Sequence, residues 1–135
     1  MEQNNHSAAI VAAIEKATLY NQYFRKEMWT GEHLQITVMC IPVGGEVGTE
    51  IHENLDQILV LEQGSASVFS GETAERMTFV GEAREGYAVI VPAGTYHNVV
   101  NDGAIALKMF SVYAPPKHPV GTEQRTKADA DREEN

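Results

Sequence analysis

Positive charge, cysteine and long apolar runs are all scarce in this 135-residue chain. Ten Lys and Arg stand against 19 Asp and Glu, a formal net charge of -9. A chain this acidic repels phosphate backbones and anionic lipid heads unless a local basic patch intervenes. The sequence shows no such patch, so nucleic acid and membrane surfaces are not expected partners. The longest apolar runs, residues 57–61 and 88–91, fall far short of the ~20 residues that span a bilayer. The opening Met-Glu-Gln-Asn-Asn-His has neither the basic nor the apolar region of an export signal. A single cysteine, Cys40, can form no internal disulfide, which suits a reducing compartment, so the expected location is the cytoplasm. Cys40 lies in an apolar stretch without a neighbouring charge to lower its pKa and reads as a small core residue. The glycines do not form a phosphate loop, since no Lys and helix follow them.

What is present is enough apolar material, 43% of residues, for one domain with its own core. Residues 1–32 read as an N-terminal segment in which Ser7 caps a short helix carrying Ile10, Val11, Ile14 and Ala17 on one side. From residue 33 the pattern changes to short apolar runs broken by glycine, at 34–41, 57–61, 65–70, 76–80, 87–91, 97–100 and 104–113. Their β-branched content favours strands, and turn signals between them predict an antiparallel sandwich or barrel over 33–113. The continuous apolar runs predict strands covered on both faces. Residues 114–135 open with Ala-Pro-Pro and carry nine charged side chains with little apolar content, the composition of an extended tail, solvated or lying along a partner.

Two blocks carry the candidate chemistry. In the first, Glu50 and His52 are two residues apart, so an extended chain turns both to one side, and Gln57 opens the next strand. In the second, His97 directly follows a Pro-x-Gly turn and Asn101 reads as a turn residue. The second block matches the second cupin motif, G-x5-P-x-G-x2-H-x3-N, at Gly86, Pro92, Gly94, His97 and Asn101. The first resembles the first cupin motif, G-x5-H-x-H-x4-E-x6-G, at Gly44, Glu50, His52, Gln57 and Gly64, with Glu replacing the first His and Gln replacing the Glu. The closer resemblance, which takes in Tyr-Phe-Arg at residues 23–25 and the Ala-Pro-Pro-x-His-Pro-x-Gly-Thr tail, is to small single-domain bacterial cupins described as mannose-6-phosphate isomerase-like.

The resemblance implies a double-stranded β-helix, a jelly-roll-like barrel, with metal ligands at Glu50, His52, Gln57 and His97. Two imidazoles and a carboxylate are the ligand set of many non-haem iron centres, and a neutral Gln amide oxygen would add a weaker fourth ligand. The set suits Fe, Mn, Ni or Zn and leaves positions for a small ligand. The expected function is metal-dependent dioxygenase, isomerase or lyase chemistry on a small oxygen-rich compound. The alternative is a small-molecule-binding or sensing module without turnover. A metal-free epimerase ranks last, because Asp56 is the only Asp within a motif. Open sheet edges make a homodimer the expected assembly.

Overall fold

The computed structural model describes residues 8–133. In chain order the elements are α1 (Ile14–Tyr20), β1 (Arg25–Thr30), β2 (Gln35–Ile41), β3 (Asp56–Gln63), β4 (Ala66–Gly71), β5 (Thr78–Ala83), β6 (Ala88–Val91), β7 (Tyr96–Val100), β8 (Leu107–Ala114), β9 (Glu123–Gln124) and α2 (Lys127–Glu133). A larger sheet has the order β6-β3-β8-β2-β1-β9, and a smaller one β5-β4-β7. All pairings are antiparallel. Isolated bridges from Glu46 to Val100 and from Glu50 to His97 extend the smaller sheet past β7. This is the double-stranded β-helix that the motifs imply.

The period-2 alternation of each strand turns one face inward. In the larger sheet that face is graded. Ile41 pairs with Leu107 and Met39 with Met109, while Thr37 pairs with Ser111 and Gln35 with Tyr113. On the other side of β8, Leu61 pairs with Met109, Leu59 with Ser111, and Gln57 with Tyr113. All these inward residues are buried. One end of the sheet is therefore an apolar core, and the other a buried polar surface. The smaller sheet repeats the gradient, since Val68 pairs with Val99 and Ser70 with His97. Burying the apolar end drives collapse at roughly 25 cal/mol per Å², whereas each polar side chain at the other end must find a partner or it costs stability.

Several details differ from the sequence-based expectations. The helix begins at Ile14, a turn later than expected, so Ile10 and Val11 lie outside it and exposed; Ser7 falls outside the described residues. The apolar runs of β3 and β6 are covered on one face only, with Ile58 39% and Ile90 71% exposed as cross-strand neighbours on the outside. The charged tail is not solvated throughout: β9 pairs with β1, and α2 sends Ala130 into the core. Few apolar side chains suffice, because the tail is held through its backbone. Glu27 N–H donates to Thr122 O at 2.8 Å, Gly121 N–H to Glu27 Oε1 at 3.0 Å, and Phe24 N–H to Arg125 O at 3.1 Å. No helix among the described residues is long and apolar enough to cross a membrane.

Candidate metal centre

The loop between β2 and β3 carries Glu50 and His52 and is fastened to the second motif. Glu50 and His97 exchange backbone hydrogen bonds at 3.0 and 2.9 Å, and Val47 N–H donates to Val99 O at 2.9 Å. Gly94 N–H donates to His52 O at 2.8 Å from the turn before β7. That turn needs glycine, since Gly94 has φ +81°, a conformation that strains any residue with a Cβ. Asp56 Oδ1 accepts from Ala93 N–H at 2.9 Å and holds the same turn from β3. Asn101, fully buried, donates to Ile41 O and Ile105 O and accepts from Gly103 N–H, which confirms it as a turn residue.

These anchors bring three of the four expected ligands together. One ligand atom each from Glu50, His52 and His97 lies within 4.8 Å of the other two. His52 Nε2 is 3.5 Å and His97 Nε2 3.8 Å from Glu50 Oε1. The imidazole rings are 5.4 Å apart. Gln57 projects inward from β3 at the same polar end. Its strand partner Tyr113 packs edge-on against His52 at 5.9 Å. Gln57 Nε2 donates to Ser111 Oγ at 2.8 Å, which turns the amide so that Oε1 is buried without a hydrogen-bond partner.

The tautomer of His97 follows from its surroundings. Nδ1 contacts Thr95 O at 3.3 Å, and a carbonyl only accepts, so the proton sits on Nδ1 and Nε2 presents its lone pair. Burial pushes the His97 pKa down, which keeps the ring neutral. Burial pushes the Glu50 carboxyl up, but the long contact from His52 and the charge of Arg25 outweigh it and hold Glu50 below the ordinary carboxylate range. A carboxylate and two imidazole nitrogens therefore face a common region, with Gln57 buried on the neighbouring strand β3. The Nε2 atoms of both histidines and Gln57 Oε1 are buried without hydrogen-bond donors. Two imidazole nitrogens 3.5 and 3.8 Å from one carboxylate oxygen are separations that pairs of ligand bonds of about 2.1 Å to a shared cation span.

Arg25, Gln35 and His118 were not among the expected site residues. Arg25 is buried, stands 3.9 Å from Glu50 Oε2 and donates to Gln124 Oε1 at 2.8 Å. His118, expected in a solvated tail, is buried against Tyr113 with ring centroids 5.2 Å apart. The signal for both was present in the Tyr-Phe-Arg and Pro-Pro-x-His-Pro segments, but neither chain position adjoins a motif. His33 is exposed, as its turn position implied; His6 lies outside the described residues.

A two-sheet antiparallel barrel with a carboxylate and two histidines gathered at its polar end defines a cupin-type protein. Residues 4–132 match the sequence profile described as Cupin, so the chain belongs to the cupin family. It is 47% identical over 120 residues to uncharacterized protein YrkC of Bacillus subtilis (strain 168), an alignment covering 89% of this chain and 64% of that protein. The chain thus spans a little under two-thirds of that relative's length. Uncharacterized protein L612 of Acanthamoeba polyphaga mimivirus is 29% identical over 119 residues, covering 87% of this chain and 72% of that protein. The crystal structure of BH2720 from Bacillus halodurans superposes with a TM-score of 0.91 at 45% identity, covering 96% of this chain and 98% of that one.

Proposed function

We propose that the chain is a metal-dependent enzyme acting on a small oxygen-rich compound, with Glu50, His52, Gln57 and His97 as ligands. The observation that carries this reading is the convergence of a charged carboxylate with buried acceptors that no protein donor satisfies. A divalent cation bound there would supply Lewis-acid polarisation of a carbonyl or hydroxyl oxygen. The chain's own part is to hold and orient. Thr95 fixes the ring of His97, Ser111 fixes the amide of Gln57, and Arg25 aims Glu50. Because two ligand positions differ from the His-rich motif, the reaction is proposed only as dioxygenase, isomerase or lyase chemistry, without adopting the mannose-6-phosphate isomerase-like description as an activity. Mn, Fe, Ni and Zn per chain, measured on protein purified without chelator or His-tag, test the metal directly; no metal after reconstitution with each ion shifts the weight to a binding module.

Gln57 has its own test. Gln57→Ala removes a neutral oxygen ligand and leaves β3 in place, so metal affinity is expected to fall at least about tenfold with the far-UV spectrum unchanged. Competition with a chelator of known affinity reads this directly. Unchanged affinity removes Gln57 from the ligand set.

We also propose a homodimer. The exposed Ile58 and Ile90 pair lies on β3 and the edge strand β6, and a second copy would cover it. Ile90→Lys is expected to convert a dimer to a monomer in sedimentation velocity; a wild-type monomer at high concentration rejects the assembly.

A further inference from the structure

After β8 the chain turns back across the polar end of the larger sheet as a strap. Its central residue, His118, is gripped by the fully buried side chain of Gln35. Gln35 Nε2 donates to His118 O at 2.7 Å, and Gln35 Oε1 accepts from His118 N–H at 2.9 Å and Lys117 N–H at 3.2 Å. The strap is thus held by main-chain hydrogen bonds, none of which uses the His118 ring. The residue is 9% exposed, and its ring packs edge-on against Tyr113 and buries Nε2 without a hydrogen-bond partner.

An apolar side chain would pack against Tyr113 as well, without the cost of an unsatisfied buried nitrogen. The same Tyr113 ring also packs against His52, so His118 and the candidate centre border one aromatic side chain. His118 is close enough for its charge state to feel Glu50 and His52. It is nevertheless absent from the group whose ligand atoms lie within 4.8 Å of one another. This position suits a hydrogen bond to a molecule held at the centre better than a bond to the ion. Burial, with Arg25 and Lys117 adding to it, pushes the ring pKa down to about 3, so the imidazole is neutral and can pair with a hydroxyl in either tautomer.

We propose that His118 contacts the substrate: its ring hydrogen-bonds a hydroxyl of an α-hydroxy acid or similar chelating compound held at the Glu50, His52 and His97 centre. The proposal rests on the metal reading above, and it adds the substrate class and a specificity-determining residue that neither motif contains.

The test uses the full chain loaded with Co(II), whose visible absorption reports ligand binding. Glycolate and acetate are the probes, because they share a carboxylate and differ by one hydroxyl. The wild type is expected to prefer glycolate. His118→Ala should hold the same cobalt per chain, bind glycolate about fivefold to tenfold more weakly, and bind acetate within about twofold of wild type. His118→Gln, which restores a hydrogen-bonding group, should recover part of the preference and guards against a packing defect. Equal effects on both probes, or an unchanged glycolate affinity, overturn the proposal while leaving the metal centre intact. Loss of cobalt in His118→Ala also overturns it, since that is the behaviour of a ligand. A wild type that binds cobalt without preferring glycolate overturns the substrate class. A wild type that takes up no cobalt overturns the metal reading itself, and this inference with it.

Discussion

His97→Ala is expected to weaken metal binding by about two decades while leaving a folded barrel. His97 reaches the centre from β7, where its backbone exchanges hydrogen bonds with Glu50 and its neighbour Val99 sits in the core. Neither contact depends on the imidazole, so the ladder and the core survive the substitution. The centre loses a ligand whose Nε2 is fixed by the Nδ1 contact to Thr95. Structural zinc sites in zinc-finger peptides gain about 10–16 kcal/mol from four ligands, and on that scale one neutral imidazole accounts for roughly 3 kcal/mol, or about two decades of affinity. Elemental analysis of protein purified without chelator should show near-stoichiometric metal in wild type and clearly less in the variant. The wild type should also gain thermal stability with added metal, because ligand that binds only the folded state stabilises it by mass action, and the variant should gain less. Stoichiometric metal in His97→Ala would sink the assignment.

Much of this fold was legible because the residues that make it act locally. β-branched runs, the Asn-Asp-Gly turn after Val100 and the Pro-x-Gly turn before His97 each specify a strand or corner within a few residues. The pairing of Glu50 with His52 was legible for the same reason, as two side chains on one side of an extended segment. What could not be read are the contacts made across the sheet. β1 was missed because Arg25–Thr30 mixes charged and aromatic side chains, and its strand character comes from pairing with β2 and from the Glu27–Trp29 bulge. The tail's composition offers little to bury and predicts a segment solvated or lying along a partner, yet Glu27, Gln35 and Phe24 of the same chain hold it by main-chain hydrogen bonds that composition does not record. The places of Arg25 and His118 beside the centre follow from that docking. Motif spacing brought out the candidate ligands, whereas the approach of Arg25 to Glu50 joins positions 25 residues apart and leaves no local pattern.

Gln35→Ala should then do more damage than any single strand substitution on the barrel surface, and it should do it in two places. The side chain is fully buried at the start of β2 and joins four groups: the Thr30 hydroxyl, the His118 carbonyl, and the amides of Lys117 and His118. Thr30 in turn donates to Glu27 Oε2, and Glu27 Oε1 accepts from Gly121, so the amide closes a network running from β1 through β2 to the strap. Truncation leaves buried strap amides and a carbonyl without partners, at a cost of about 1–3 kcal/mol for each group that water cannot reach. The Lys117 amide is only partly buried, so water should reach some of these groups, and the expected net loss is about 3 kcal/mol. For a chain of this size that lowers Tm by roughly 10 °C. Because the network spans strap and sheet, loss of amide protection should concentrate in residues 117–122 in hydrogen exchange, ahead of β2, β3 and β8. The centre should respond as well: once the strap loosens, Gln35→Ala should lose glycolate preference as His118→Ala does, yet keep its metal, since none of the four proposed ligands touches Gln35. An unchanged Tm with full protection over 117–122 would show that the strap is held by other contacts, while loss of metal would place Gln35 among the groups that shape the centre itself.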